Sequence, residues 1–405
     1  MAGAAKLVVV SQHYPPDPST TAAIMAEIAR HLAGRHPVLV LSGTPDSATS
    51  GASPPDQPVV VEIKNRIPAK AALVRRAVAE LAFTTRAFAM VLSKVKRGDL
   101  VLTVTAPFML PYAMALGARL KGARSALILH DLYPDVLVMA GLLGERSPVT
   151  WTIRGANALM FRLLDAVITI GRDTERLLLT YRGLTPAKIR FIPNWATLAP
   201  AVRPVAADSP YRRNISARFV VGLSGNLGFT HDPIVVFEAA RLLANDPDIH
   251  FLLSGWGVGY ERLRQLQSEA QLANVTLVDR VANGDLERFL AAADAWIIPY
   301  RKNVAGVSVP SRFYNLLAVG RPVILVSEPK AEAAMTVSEN SLGWVVRPGM
   351  ADELAATIRA ASVRTDASMS ERAVAASGAF ALDRAMAAYG ELVDEFLQSP
   401  GRQVS

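Results

Sequence analysis

The chain contains no cysteine. That excludes disulfides, thiolate metal sites and a cysteine nucleophile, and it fits a reducing compartment. It also lacks any run of about 20 uninterrupted apolar residues, so no transmembrane helix is expected. The opening stretch MAGAAKLVVVSQHYPPD has an apolar run too short for a signal peptide and reads as a first β-strand. A GxGxxG turn is missing after it: Tyr14-Pro15-Pro16 stand there, which disfavours a nicotinamide-dependent oxidoreductase.

What is present is size and an uneven charge. With 405 residues and 51% hydrophobic content, the chain can bury two cores. Of 43 Lys+Arg and 35 Asp+Glu, residues 1–200 hold 23 and 13, an excess of +10, and the remainder holds 20 and 22. A basic first half suits an anionic surface, either membrane phospholipid or nucleic acid.

Apolar runs and helical spacings alternate along the chain. Lys6 to Val10 reads as a strand, and Thr21 to Leu32 as a helix capped by Thr20 or Thr21. Pro37 to Ser42 is the next strand, and Gly43 to Pro58 a loop rich in Pro, Ser, Gly and Asp. The long helical stretch Leu73 to Lys94 carries Arg75, Arg76, Arg86 and Lys94 among apolar residues; it fits either a membrane interface or a solvated face over a sheet. Strands Leu100 to Thr103 and Ala126 to Leu129 flank a helix, Pro111 to Leu120. His130-Asp131-Leu132-Tyr133-Pro134-Asp135 then falls just past a strand's carboxyl end, where open α/β sheets place ligands. Three ionisable groups so close together there need partners or a task.

Ala166 to Ile170 and Ile189 to Pro193 are further strands, and Ala196 to Ser216 reads as an interdomain linker. A second series follows with strands Phe219 to Ser224, His250 to Ser254, Val275 to Val278, Ala295 to Pro299 and Pro322 to Val326. Asp232 to Leu243 and Glu261 to Ala270 are helices between them, and Gly255-Trp256-Gly257 reads as a tight strand-to-helix turn. Continuous βα alternation argues for an α/β protein with parallel sheets, in two Rossmann-like domains facing a cleft. In VPSRFYNLLAVGRPVI, 309–324, Ser311 is the expected N-cap, and Gly320 with Pro322 ends the helix. Its free N–H groups and Arg312 in the first turn make a place for a phosphate.

YPPDPSTTA at 14–22, HDLYPD at 130–135, IPNW at 192–195, SGNLG at 224–228, SGWGVG at 254–259 and PSRFYNLLAVGRPVI at 310–324 occur in one order over almost the whole chain. Together they resemble glycosyltransferase family 4, within it the bacterial exopolysaccharide and O-antigen transferases of the colanic-acid type. The resemblance implies a GT-B fold: an acceptor-binding domain over 1–198, a donor-binding domain over 214–380, and a return helix within 381–399 that crosses back to the first domain. It implies a retaining transfer of sugar from a nucleotide diphosphate to an acceptor hydroxyl, with no metal and no cofactor beyond the donor substrate. The implied acceptor is a polyprenyl-diphosphate-linked glycan. The implied setting is the cytoplasm, peripherally on the anionic inner face of the bacterial cytoplasmic membrane, with no nucleic acid involved.

The family's paired glutamates fall on Val307 and Asn315, and its usual Arg and Lys after the first donor-domain strand fall on Asn226 and His231. Both carboxylates and both cations are therefore missing. On this resemblance Arg312 and His130 are the catalytic candidates. Gly225, Asn226, His231, Arg280, Val281, Arg301, Lys302, Pro310, Ser311 and Asn315 are candidates for the donor, and Thr20, Thr21, Asp131 and Asp135 for the acceptor. A diphosphate oxygen can itself take the acceptor proton in such a reaction, so a protein base is not required. Two other readings fit the architecture: a nucleotide-sugar 2-epimerase, and an inactive scaffold subunit of a polysaccharide assembly complex.

Overall fold

The computed structural model describes residues 4–17, 19–43, 56–65, 73–205, 209–363 and 366–398. Most of the loop expected between Gly43 and Pro58 lies outside the described residues.

Two fully parallel sheets carry the fold. The first has seven strands: β1 (Leu7–Ser11), β2 (Val38–Ser42), β3 (Val59–Glu62), β4 (Leu100–Val104), β5 (Arg124–Leu129), β6 (Ala166–Thr169) and β7 (Ile189–Phe191), in the order β3-β2-β1-β4-β5-β6-β7. The second has six: β8 (Phe219–Asn226), β9 (Ile249–Trp256), β10 (Val275–Val278), β11 (Ala295–Pro299), β12 (Val323–Val326) and β13 (Gly343–Val346), in the order β10-β9-β8-β11-β12-β13. Each is covered on both faces, so its central strands are continuous apolar runs. In β1, Leu7 and Val9 face one core while Val8 and Val10 face the other. Strand order reverses between β1 and β4 and again between β8 and β11, and a crevice opens outside such a reversal.

The last helix, Leu382–Gln398, packs Met386, Tyr389, Val393 and Phe396 into the core of the first sheet. Asp394 pairs with Arg35 at 2.6 Å and with His36 at 2.7 Å, and the Arg124 guanidinium lies 5.4 Å from the centre of the Phe396 ring. The expected return helix is therefore present.

Several local expectations change. Ser19, not Thr20 or Thr21, caps the helix Thr20–Ala33, its hydroxyl accepting from the Ala22 N–H at 3.2 Å. Ser311 is the first residue of its helix rather than the cap; Pro310 holds the cap position and no side chain caps the end. The segment after Trp195 connects the two sheets as expected, and it is held against the second, Ala201 and Arg203 donating backbone N–H groups to Ala318 and Val319. Strands β3 and β13 and the helix Pro148–Leu163 join the elements read from the sequence.

Candidate active site

A cleft of about 760 Å³ lies between the carboxyl ends of the two sheets. Its first wall is built from the turns after β1 and β5, which bring in His13, Asp17, Asp131 and Tyr133, and from the start of the helix Thr20–Ala33, which brings in Thr20 and Thr21. The opposite wall comes from the segment Leu223 to His231, Trp256 after β9, Arg280 after β10, Ile297 to Tyr300, and Ser308 to Arg312. Carboxylates thus line one side and guanidinium groups the other.

The second wall can approach a ligand closely because of backbone geometry. Gly225 sits at φ 128°, and a Cβ there would stand 4.0 Å from Arg312 Nε. A Cβ on Gly257, at φ 94°, would meet Asn226 Oδ1 at 2.6 Å, so the expected tight turn after β9 locks onto the turn after β8.

Arg312 enters the cleft from the first turn of the helix Ser311–Ala318. Its Nε is buried with no hydrogen-bond partner among the described residues. Burial pushes its pKa down to about 10, with the nearby Arg280 charge adding to the effect. It stays cationic at neutral pH, a charge held out of water beside uncapped helical N–H groups. Such a group is costly without an anion, and the wall is chemically suited to receive one such as a diphosphate. Arg280 is fixed over the Trp256 ring at 4.4 Å from its centre.

Facing them, Asp131 has its pKa raised by burial, and its N–H donates to Thr105 Oγ1 at 3.3 Å. His231 lines the cleft as a neutral ring, its pKa pushed down by burial to about 4. It stacks on Tyr300 at 5.0 Å between centres and meets Thr230 Oγ1 at 3.0 Å. The structure therefore brings Thr20, Thr21, Asp131, Gly225, Asn226, His231, Arg280, Pro310, Ser311 and Arg312 to one cleft.

Other candidates are placed elsewhere. Asn315 is 7% exposed and its amide is spent on the crossing segment: Oδ1 accepts from the backbone N–H groups of Thr197 at 2.8 Å and Leu198 at 3.2 Å, and Nδ2 donates to Thr197 Oγ1. Asn315 is not among the residues lining the cleft, and these contacts hold its amide on the crossing segment instead of toward a donor hydroxyl. Asp135 is likewise consumed, accepting from Arg154 at 2.9 Å and from the Tyr181 hydroxyl at 2.6 Å in a buried network. Val281 packs on the apolar core of the second sheet. Arg301 turns its Nε to the His231 carbonyl at 2.9 Å, and Lys302 is exposed; neither lines the cleft. His130 lies in a tight seam with Leu132, Ile170, Val307 and Val309, its Nε2 buried without a partner among the described residues and its pKa pushed down by burial to about 4. It backs the loop Gly306 to Val309 instead of lining the cleft.

His13 and Asp17 were not signalled by the sequence. They are four residues apart in a turn without helical or strand period, so only the folded turn brings His13 Nδ1 to 2.7 Å from Asp17 Oδ2.

Residues 19–195 match the family described as "Glycosyl transferase 4-like domain", and residues 218–362 match "Glycosyl transferases group 1". The chain is 28% identical over 259 residues to the probable glycosyltransferase WbjE of Pseudomonas aeruginosa, covering 63% of this chain and 64% of that protein. It is 27% identical over 255 residues to the putative colanic acid biosynthesis glycosyl transferase WcaI of Escherichia coli, covering 61% and 62%. The chain thus matches less than two thirds of the length of either curated relative. The fold is shared with HepE of Anabaena, solved in complex with UDP and glucose, at a TM-score of 0.67 and 18% identity over 98% of this chain and 100% of that one. Two parallel sheets, a return helix and two adjoining family matches lead to one assignment: the chain belongs to the family 4 glycosyltransferases and has their GT-B fold.

Proposed function

We propose that this chain transfers a sugar from a nucleotide diphosphate to an acceptor hydroxyl, with retention at the anomeric carbon, in bacterial surface polysaccharide synthesis. The observation that carries the reading is the Arg312 guanidinium, buried beside free helical N–H groups with its Nε unpartnered among the described residues. The diphosphate sits against Arg312 and the turn Gly225-Asn226, its leaving charge met by the guanidinium and the helix end with no divalent ion. Arg280, braced on Trp256, meets the nucleoside end. Thr20, Thr21 and Asp131 bind the acceptor, and His130 acts by supporting the loop that carries Ser308 and Val309. The UDP bound by HepE supports a nucleotide-sugar donor, and the name of WcaI supports a polysaccharide product.

The acceptor in this reading is a polyprenyl-diphosphate-linked glycan, reached from the membrane surface. Support comes from a face of the first domain where helices Leu73–Lys94, Leu110–Leu120 and Pro148–Leu163 leave Val78, Leu81, Leu120 and Leu159 exposed and Trp151 70% exposed. Among the described residues no helix is long and apolar enough to cross a membrane. A thermal-shift screen of UDP-, GDP- and dTDP-sugars, followed by transfer to a lipid-linked acceptor, tests the proposal. One nucleotide family raises Tm and is consumed only with acceptor present. Stabilisation by none of them, or epimerisation of the donor without acceptor, contradicts it.

A further inference from the structure

The turn after β1 builds a fixed imidazole into the acceptor wall. Ser11, fully buried at the end of β1, donates its hydroxyl to the His13 carbonyl at 2.7 Å and accepts the His13 N–H at 3.2 Å. The Asp17 N–H donates to the Tyr14 carbonyl at 3.0 Å, closing the turn. Asp17 then holds two groups at once, accepting the Ser19 N–H on Oδ1 at 2.8 Å and meeting His13 Nδ1 on Oδ2 at 2.7 Å. Ser19 in turn caps the helix Thr20–Ala33. The imidazole is therefore tied to the strand end by the backbone of its own residue and to the helix start through Asp17.

Burial alone would raise the Asp17 pKa, but hydrogen bonds with His13 and Ser19 outweigh it and lower it. The carboxylate is ionised near neutral pH and can only accept, so the proton of the neutral ring sits on Nδ1 and the lone pair on Nε2. Nε2 has no partner among the described residues, and His13 lines the cleft on the same wall as Thr20, Thr21 and Asp131. An oriented imidazole with its lone pair free, backed by a carboxylate, is the arrangement that removes a proton from a hydroxyl.

We propose that His13 receives the acceptor hydroxyl and takes its proton on Nε2, with Asp17 as the positioning residue that fixes the ring. The inference rests on the transfer reaction proposed above. On the face of the sugar that the diphosphate leaves, so that configuration is retained, the sugar-to-phosphate bond breaks with its electron pair leaving on the diphosphate, the acceptor oxygen bonds to the anomeric carbon as its O–H proton passes to Nε2, and the imidazolium later returns the proton to solvent. His13 thereby replaces the diphosphate oxygen as proton acceptor.

The test uses the full chain with a nucleotide sugar and acceptor that the wild type turns over, comparing His13→Ala and Asp17→Asn. General-base loss predicts a fall in kcat of about 100-fold or more for His13→Ala. Donor Kd stays within about twofold of wild type, and added imidazole restores part of kcat, which a purely structural role would not allow. Asp17→Asn keeps the ring, loses kcat by about tenfold, and serves as the decisive variant should His13→Ala fail to fold. A His13→Ala enzyme with kcat within about threefold of wild type overturns the proposal, as does loss of kcat matched by loss of donor affinity with no response to imidazole. For Asp17→Asn, an unchanged kcat does the same. A wild type that binds no nucleotide sugar is a different outcome: it removes the transfer reading itself, and this inference with it.

Discussion

Asn315 accepts the Thr197 backbone N–H at 2.8 Å, tying the helix Ser311–Ala318 to the segment that crosses between the two sheets. The contact spans 118 residues of chain and also takes up the Leu198 N–H. Asn315→Ala removes the acceptor of two partly buried backbone donors, so the expected cost is about 1 kcal/mol of stability. Nucleotide affinity of the folded variant should be unchanged. Urea melts with a nucleotide titration check both halves; lost affinity with intact stability would return Asn315 to the ligand.

The two interdomain ion pairs of Arg172 should differ sharply in weight. Glu332, almost wholly buried, accepts the Arg172 backbone N–H at 2.6 Å and its Nε at 3.0 Å, whereas Glu339 is half exposed. Removing the cation in Arg172→Met strands a buried carboxylate and should cost about 2 kcal/mol or more. Glu339→Gln should cost no more than about 0.5 kcal/mol. Equal losses in denaturant melts would show that burial does not set the difference.

His231 gives a pH signature with a defined sign. Its folded pKa is about 4 against an unfolded value of 6.5, so between these values the unfolded chain holds the proton and the folded chain does not. Acidification through that window should therefore destabilise the wild type relative to His231→Gln, by roughly 1 kcal/mol per pH unit. The difference should be flat above pH 7. A constant difference from pH 7 to 4.5 would mean that the ring is not held neutral.

The basic, partly apolar face of the first domain should bind vesicles containing anionic phospholipid, with an affinity that falls as salt rises. Trp151→Ala should weaken binding at every salt concentration, because it removes an apolar contact and no charge. Binding that is insensitive to ionic strength would contradict the electrostatic share.

The architecture was legible because each βα unit writes its period locally, and the sequence boundaries of β1, β2, β4 and β11 fall within about two residues of the observed ones. The helix Ser311–Ala318 was legible for the same reason, as was the return helix. Side-chain partnerships at long range were not. Asp135 looks like a cleft carboxylate until Arg154 and Tyr181, 19 and 46 residues on, fold against it. His13 and Asp17 carry no periodic signal, since their pairing depends on a turn held by Ser11. Strand β3 lies at the sheet edge with Val59 and Glu62 exposed, so its four residues do not show the continuous apolar run of a central parallel strand.

The central claim is that one buried guanidinium and a helix end hold the diphosphate. Titrating the matching nucleoside diphosphate into wild type and Arg312→Ala by calorimetry tests it most directly. Loss of a charge-assisted contact predicts affinity lower by about tenfold to 100-fold with the fold intact. Equal affinity in the two proteins would contradict the account.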